Sequence, residues 1–300
     1  MSGAFWIAVD WGTSHLRVWR MHRHEATNEA HSDQGMGRLA PEAFEPALLD
    51  LIGPWIQGAE RVQVLACGMV GARQGWIEAP YVATPAAPGD PSAAVAAPVR
   101  DPRLDMRILP GLSQQAPPDV MRGEETQIAG LLLEDPGFSG LVCLPGTHSK
   151  WVRVAQGGVA GFQTFMTGEL FALLSGQSVL RHSMPDELWN DDAFAAGFAA
   201  ARDDAAAMAR SLFAIRAAGL LRDVPPGVAR ARLSGLLVGA EFAAMGRDAL
   251  TGAVAVIGGG AIADLYRKAF DLTGISARII DAETATLRGL CAARDALERG

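Results

Sequence analysis

One pattern occurs twice in this sequence. Ile7-Ala8-Val9 leads into Asp10-Trp11-Gly12-Thr13-Ser14 and a second apolar run from Leu16 to Met21, while Leu141-Val142-Cys143 leads into Pro145-Gly146-Thr147 and a run from Trp151 to Ala155. Aligning Gly12-Thr13 with Gly146-Thr147 also brings Val18 over Val152. Each copy reads as a strand, a tight turn bearing hydroxyls, and a returning strand. A duplicated hairpin of this kind implies two related domains facing one another, each offering turn amides and a hydroxyl. That arrangement suits phosphates held from two sides.

Length and composition allow two domains. The chain has 300 residues, 49% of them hydrophobic and 20% charged, which excludes a disordered or fibrous protein. With 26 Lys and Arg against 33 Asp and Glu, the net charge of -7 gives no footprint for nucleic acid. Cys67, Cys143 and Cys291 are far apart, with neither disulfide-framework nor zinc spacing, and a reducing compartment fits them. The apolar stretch from Ala4 to Val9 is stopped by Asp10, and no later segment is long enough to span a bilayer. The expected protein is cytoplasmic, with no membrane partner.

Helical spacing runs from Pro41 to Gln57, and Arg61 to Ala66 reads as a buried strand. No strand is evident between Met21 and Gly35. Pro85 to Pro102 reads as a long loop with a short helix, followed by a strand from Met106 to Leu109. The break from Pro110-Gly111 to Pro117-Pro118 places a domain boundary there, giving domains 1–112 and 113–300. A helix from Met121 to Leu133, the second hairpin and a mostly helical block from Gly168 to Gly246 follow. That block either fills the second domain or offers a homodimer face. Strand Ala253 to Ile257, helix Ala261 to Leu272, strand Ala277 to Ile280 and helix Glu283 to Leu297 close an α/β alternation.

Chemistry concentrates at a few places. Asp10-x-Gly12-Thr13-Ser14-x-x-Arg17 combines a carboxylate at a strand end, a glycine for close approach, two hydroxyls and a cation, which are the parts of a metal-phosphate site with Asp10 holding Mg²⁺. A hairpin turn chosen for geometry alone would share some of them. Gly146, Thr147, His148 and Lys150 offer similar groups. Gly258, Gly259 and Gly260 follow a strand and open a helix, with Ala263 in the third fingerprint position and Asp281 ending the next strand. That pattern suits an NAD-dependent Rossmann oxidoreductase or a turn beneath the adenosine of ATP. Arg122-Gly123-Glu124-Glu125 opens a helix, where acids cap the dipole or one takes a proton from a hydroxyl. Gly68 to Arg73 forms a glycine-flanked loop, and His22, His24 and His31 fit an exposed polar segment.

Together these residues resemble the superfamily of sugar kinases, heat-shock proteins and actin, with phosphate hairpins at Asp10 to Arg17 and Gly146 to Lys150 and an adenosine motif at Gly258 to Ala263. The runs DWGTSHLRVW, GMVGARQGWIEAPY, DVMRGEETQIAG, LPGTHSKWV and TFMTGELFALL resemble the 2-dehydro-3-deoxygalactonokinase family more narrowly. The resemblance implies two ribonuclease-H-like domains of the actin-like ATPase fold, with an active-site cleft between them. It implies transfer of the γ-phosphoryl of ATP, with Mg²⁺, to the 6-hydroxyl of a small sugar acid. Comparison with related carbohydrate kinases puts the general base on Glu124, with Asp10 and Glu125 as competitors because an Asp is usual there. It puts Met69, Val70 and Arg73 on the sugar side, with Arg122 or Arg73 toward the substrate carboxylate. A nucleotide-binding sensor of the same superfamily is the alternative outside catalysis.

Overall fold

The computed structural model describes residues 5–184, 188–204 and 206–299. In chain order the elements are β1 (Trp6–Trp11), β2 (Leu16–His22), β3 (Glu25–Ser32), α1 (Phe44–Ile52), β4 (Val62–Cys67), β5 (Tyr81–Ala83), β6 (Val95–Ala96), β7 (Leu104–Ile108), β8 (Gly111–Gln115), β9 (Pro118–Met121) and α2 (Glu124–Glu134). There follow β10 (Gly140–Leu144), β11 (Ser149–Ala155), β12 (Gly158–Phe165), α3 (Thr167–Gly176), α4 (Asp191–Asp203), α5 (Ala207–Leu221), α6 (Val228–Ala249), β13 (Ala253–Gly258), α7 (Gly260–Thr273), β14 (Ala277–Asp281) and α8 (Ala282–Arg299). Two compact units emerge. The first takes the chain up to Ser139, Arg153–Phe162 and everything from Asp281 onward; the second takes Gly140–Val152 and Gln163–Ile280.

The first unit is built on a sheet of order β3-β2-β1-β4-β7-β6. Alternation along β1 sends Ile7 and Val9 into a core with Phe44, Leu48 and Ile52 of α1, and Trp6 and Ala8 into a second core with Leu290 and Cys291 of α8. Both faces of this strand are therefore covered, which fixes its end rigidly. β1 runs antiparallel to β2, pairing Asp10 with Arg17, and parallel to β4, pairing Asp10 with Cys67. Helices α2 and α8 approach closely because Gly130 and Gly289 lack side chains: a Cβ there would lie 2.0 Å from the Ala285 carbonyl oxygen and 1.8 Å from that of Thr126. That contact aligns the first turns of both helices.

The second sheet has the order β12-β11-β10-β13-β14, with β10 parallel to β13. Its order repeats β3-β2-β1-β4-β7, so the duplicated hairpin supplies the first two strands of both sheets. Phe194 and Phe198 of α4, Phe242 of α6 and Phe270 of α7 pack with Trp151 and Val256 over this sheet. Cys67, Cys143 and Cys291 are buried free thiols. Among the described residues no helix is long and apolar enough to cross a membrane.

Several expectations change. Between Met21 and Gly35 lies the edge strand β3, whose residues are exposed or half-buried throughout and so carry no apolar alternation. The stretch from Pro110 to Pro118 is no linker: β8 and β9 form a hairpin there, with Leu112 opposite Met121, and β5 adds to it in parallel. The first unit accordingly runs on beyond residue 112, and it includes α8 because the apolar stripe of that helix covers β1 and β4. Pro85 to Pro102 is, as expected, a long loop with one short helical turn, the 3-10 turn Pro91–Ala93, to which the structure adds the two-residue strand β6.

Candidate active site

In the first unit, the expected groups gather where β1 and β4 end. The turn after β1 closes through the Gly12 amide on the His15 carbonyl, at 2.9 Å, and leaves Thr13 and Ser14 exposed. The segment after β3 holds that turn from outside: the Met36 and Gly37 amides donate to the Gly12 and Thr13 carbonyls, each at 2.9 Å. Gly35 makes this possible, since a Cβ there would lie 2.3 Å from the Ser14 carbonyl carbon. Sequence reasoning missed this clamp, whose signal is the Gly35-Met36-Gly37 spacing.

Asp10 is partly buried, with its carboxylate 3.8 Å from the Arg17 guanidinium. Burial pushes its carboxyl above the usual range; Arg17 opposes that shift, while the charges of Glu124 and Glu283 add to it. Glu283, in the first turn of α8, was not among the expected residues because the last helix was assigned to the second domain. Gly68, at φ +90°, follows β4 and lies under Asp10, and a Cβ on it would come within 2.8 Å of the Trp11 carbonyl oxygen. A Cβ on Gly123 would meet the Gly68 Cα at 3.4 Å, so α2 begins directly beside that strand end.

The two acids opening α2 have different environments. Glu125 is 1% exposed, and its carboxylate accepts the Gly123 amide at 2.7 and 3.0 Å. Burial and the neighbouring charge of Glu124 push its carboxyl up to about 8. Glu124 is only half-buried and accepts the Arg122 amide at 3.0 Å. Of the two, Glu124 is the one that an incoming molecule can touch.

Arg122 is buried over the Tyr81 ring, 4.2 Å from its centroid, and donates from Nη2 to the Ala79 carbonyl at 2.7 Å. Its Nε and Nη1 are buried with no hydrogen-bond partner among the described residues. Arg73 instead is exposed and pairs with Glu78 at 3.5 Å. Met69 is half-buried in the same loop, whereas Val70 packs fully into the core.

The second unit holds the other set. Thr147 and His148 are exposed in the turn after β10; His148 Nε2 lies 2.6 Å from Glu169, and Lys150 is buried with Nζ 3.3 Å from the His148 carbonyl oxygen. The Glu169 amide donates to the Thr147 carbonyl at 3.0 Å, and Gly168 packs so closely that a Cβ would lie 2.5 Å from the Gly146 carbonyl oxygen. The first turn of α3 thus clamps this turn as Gly35 to Gly37 clamp the other. Gly258 packs against Pro145, while Gly259 and Gly260 are exposed at the start of α7. Beside them lies a cavity of about 400 Å³, mostly apolar, with Gly146, Thr167, Ser234, Leu265 and Tyr266 in its walls. That size and lining suit a small organic ligand.

The Rossmann expectation finds no support here. Its sheet would need a second set of parallel crossovers, but the strands before β10 in the sheet order are β11 and β12, the returning strands of the hairpin pattern. Asp281 accepts the Thr284 amide and hydroxyl, both at 2.8 Å, and so caps α8.

Two sheets of the same strand order, each with a Gly-Thr turn between its first two strands, define the actin-like ATPase fold. Residues 10–293 match the family described as 2-keto-3-deoxy-galactonokinase. A probable 2-dehydro-3-deoxygalactonokinase of Rhizobium meliloti (strain 1021) is 41% identical over 99% of this chain and 98% of its own. The 2-dehydro-3-deoxygalactonokinase of Escherichia coli (strain K12) is 33% identical over 96% of both chains. A crystal structure assigned to a 2-dehydro-3-deoxygalactonokinase from Sinorhizobium meliloti superposes with a TM-score of 0.90, at 40% identity over 97% of this chain and 99% of that one. The chain belongs to the 2-keto-3-deoxy-galactonokinase family.

Proposed function

We propose that this chain transfers the γ-phosphoryl group of ATP to the 6-hydroxyl of 2-dehydro-3-deoxy-D-galactonate, a small sugar acid of galactonate breakdown. Family membership supports the reaction. The observation that carries the assignment of roles is the reachable Glu124, set at the start of α2 next to Gly68 and within electrostatic range of Asp10. Glu124 is the general base: it orients the hydroxyl and takes its proton as the bond from O6 to phosphorus forms and the bond from phosphorus to the ADP oxygen breaks. Glu125 is too buried for that task and serves to fix the Gly123 turn.

The amides and hydroxyls of Thr13 and Ser14 in the first unit, beside Gly12 and with Arg17, and those of Gly146 and Thr147 in the second, with His148 and Lys150, are the groups that receive phosphates; the Gly12 amide itself is spent on the His15 carbonyl. Two rigidly clamped turns suit that purpose, because their donors need no reorganisation. The cavity beside Gly258, Gly259 and Gly260 takes the adenosine. Among the described residues no three His, Cys, Asp or Glu side chains cluster to hold a metal by themselves. Asp10 nevertheless fits one shared with a nucleotide, since its carboxylate is a hard oxygen donor, 23% exposed, at the strand end. Mg²⁺ bound there supplies charge neutralisation to the phosphates.

On the sugar side, Arg122 is the cation assigned to the substrate carboxylate, because two of its nitrogens lack acceptors and Arg73 is already paired with Glu78. Met69 lies on the same loop. A cytoplasmic location fits the three reduced thiols, and a homodimer face would fall on the exposed Phe213, Leu220 and Leu221 of α5. The test is product identity. Incubation with ATP, magnesium and 2-dehydro-3-deoxy-D-galactonate should yield a phosphomonoester coupled to the C6 protons in a phosphorus NMR spectrum; a phosphate on another carbon, or none, would refute the reading.

A further inference from the structure

Four polar side chains of the second unit converge on one carboxylate that the proposed reaction does not use. Glu241, on α6, is 1% exposed. Its Oε2 accepts the Trp151 indole N–H at 2.7 Å, and its Oε1 accepts the Tyr266 hydroxyl at 2.6 Å and the Thr167 hydroxyl as well. Ser149 completes the group, 2.9 Å from the Tyr266 oxygen, to which it donates because the single tyrosine proton is committed to Glu241.

The donors come from three different elements. Ser149 and Trp151 lie on β11, directly after the second Gly-Thr turn. Thr167 opens α3, whose next two residues clamp that turn through the Gly168 contact and the Glu169 amide. Tyr266 lies on α7, the helix that follows directly after Gly259. Thr167 and Tyr266 also face the cavity of about 400 Å³. An apolar side chain of similar volume would fill the place of Glu241 without the desolvation cost of a buried acid. What an apolar residue lacks is direction: three hydrogen bonds to one carboxylate fix β11, α3 and α7 against a single point on α6.

We propose that Glu241 is a positioning residue, setting the second Gly-Thr turn and the start of α7 at the separation that a nucleoside triphosphate requires. The proposal rests on the reading of the cavity as the adenosine site. Glu241→Gln keeps the shape but turns one acceptor into a donor, so at least one of the three bonds is lost. The expected result is a rise in KM for ATP of about tenfold, the value of one hydrogen bond to a charged group, with KM for the sugar acid unchanged. ADP titrated by calorimetry should weaken in parallel. A role in stability alone would lower the melting temperature and the active fraction while leaving both KM values at wild type, and that result overturns the proposal.

Thr167→Val deletes one donor at constant volume and gives the same split if Glu241→Gln does not fold. Ser234→Phe, which fills the cavity from α6 while leaving Glu241 and its three donors in the sequence, separates the two claims. Should Ser234→Phe bind ADP as wild type does, the cavity is not the adenosine site and both claims fall. Should it lose ADP while Glu241→Gln and Thr167→Val keep wild-type KM for ATP, the cavity reading stands and the role of Glu241 alone is refuted.

Discussion

Glu125 holds the Gly123 amide with both of its carboxylate oxygens, at 2.7 and 3.0 Å, from a position that is 1% exposed. The turn it fixes has Gly123 at φ +106° and presents Glu124 beside Gly68. Burial, reinforced by the charge of Glu124, pushes the Glu125 carboxyl from its ordinary 4.5 to about 8. Below pH 4.5 the group is protonated in folded and unfolded chains alike. Between there and about 8 only the folded chain keeps the proton, so stability falls as pH rises, at most by about 1.4 kcal/mol per pH unit from this group. Glu125→Gln should remove that slope. Urea midpoints of the two proteins measured from pH 5 to 9 should diverge, wild type losing stability relative to the variant until about pH 8; parallel curves would mean that Glu125 does not titrate there.

Glu124→Gln should fold as wild type does and lose roughly 10²–10⁴ in kcat, as expected of a missing general base. KM for ATP should change little. Steady-state kinetics with a circular dichroism control decide it, and a variant with near wild-type turnover would move the base to Asp10.

Gly259→Val probes the nucleotide side without disturbing the fold. Gly259 has an extended backbone, φ -135° and ψ 156°, and a Cβ there meets no atom within 4 Å. Only a bound ligand would feel the new side chain. KM for ATP should rise roughly tenfold, the cost of crowding a packed contact, with KM for the sugar acid nearly constant. The opposite pattern would remove the adenosine assignment.

Arg122→Lys keeps the charge but loses the planar fork and the overlap with Tyr81. Its KM for 2-dehydro-3-deoxy-D-galactonate should rise about tenfold while KM for ATP holds, as for loss of one charge-assisted hydrogen bond. Equal effects on both substrates would point to a general loosening of the loop from Gly68 to Arg73.

Gly168→Ala tests the clamp on the second turn. Its methyl group would collide with the backbone at Gly146 and Thr147, at 2.5 and 2.8 Å, so the turn must shift. A loss of about 1–3 kcal/mol in stability is expected, with kcat/KM for ATP reduced more than that for the sugar acid. Unchanged kinetics would show that the turn does not hold the nucleotide.

Much of the fold was legible because buried strands announce themselves. Ile7-Ala8-Val9 and Leu141-Val142-Cys143 are apolar runs ending in turn residues, and their recurrence gave both sheets their first strands. β3 was invisible because an exposed edge strand needs no apolar face. The prolines between Pro110 and Pro118 looked like a break, yet Pro118 begins β9 on a hairpin edge where a missing amide costs nothing. The placement of α8 in the first unit depends on contacts between the two ends of the chain, which no local pattern encodes. Glu283 was lost for that reason. Glu241 was lost for another: an acid inside an apolar helical stretch declares a partner only once Trp151, Thr167 and Tyr266 are folded around it.

The most direct test of the assigned reaction is ADP release from ATP and magnesium, compared across 2-dehydro-3-deoxy-D-galactonate, its gluconate epimer, xylulose and glycerol. Selective stimulation by the galactonate compound is the predicted result. If none of the four stimulates release while ATP still binds, the chain is a nucleotide-binding protein that does not phosphorylate this sugar acid, and the roles given to Glu124 and Arg122 are wrong.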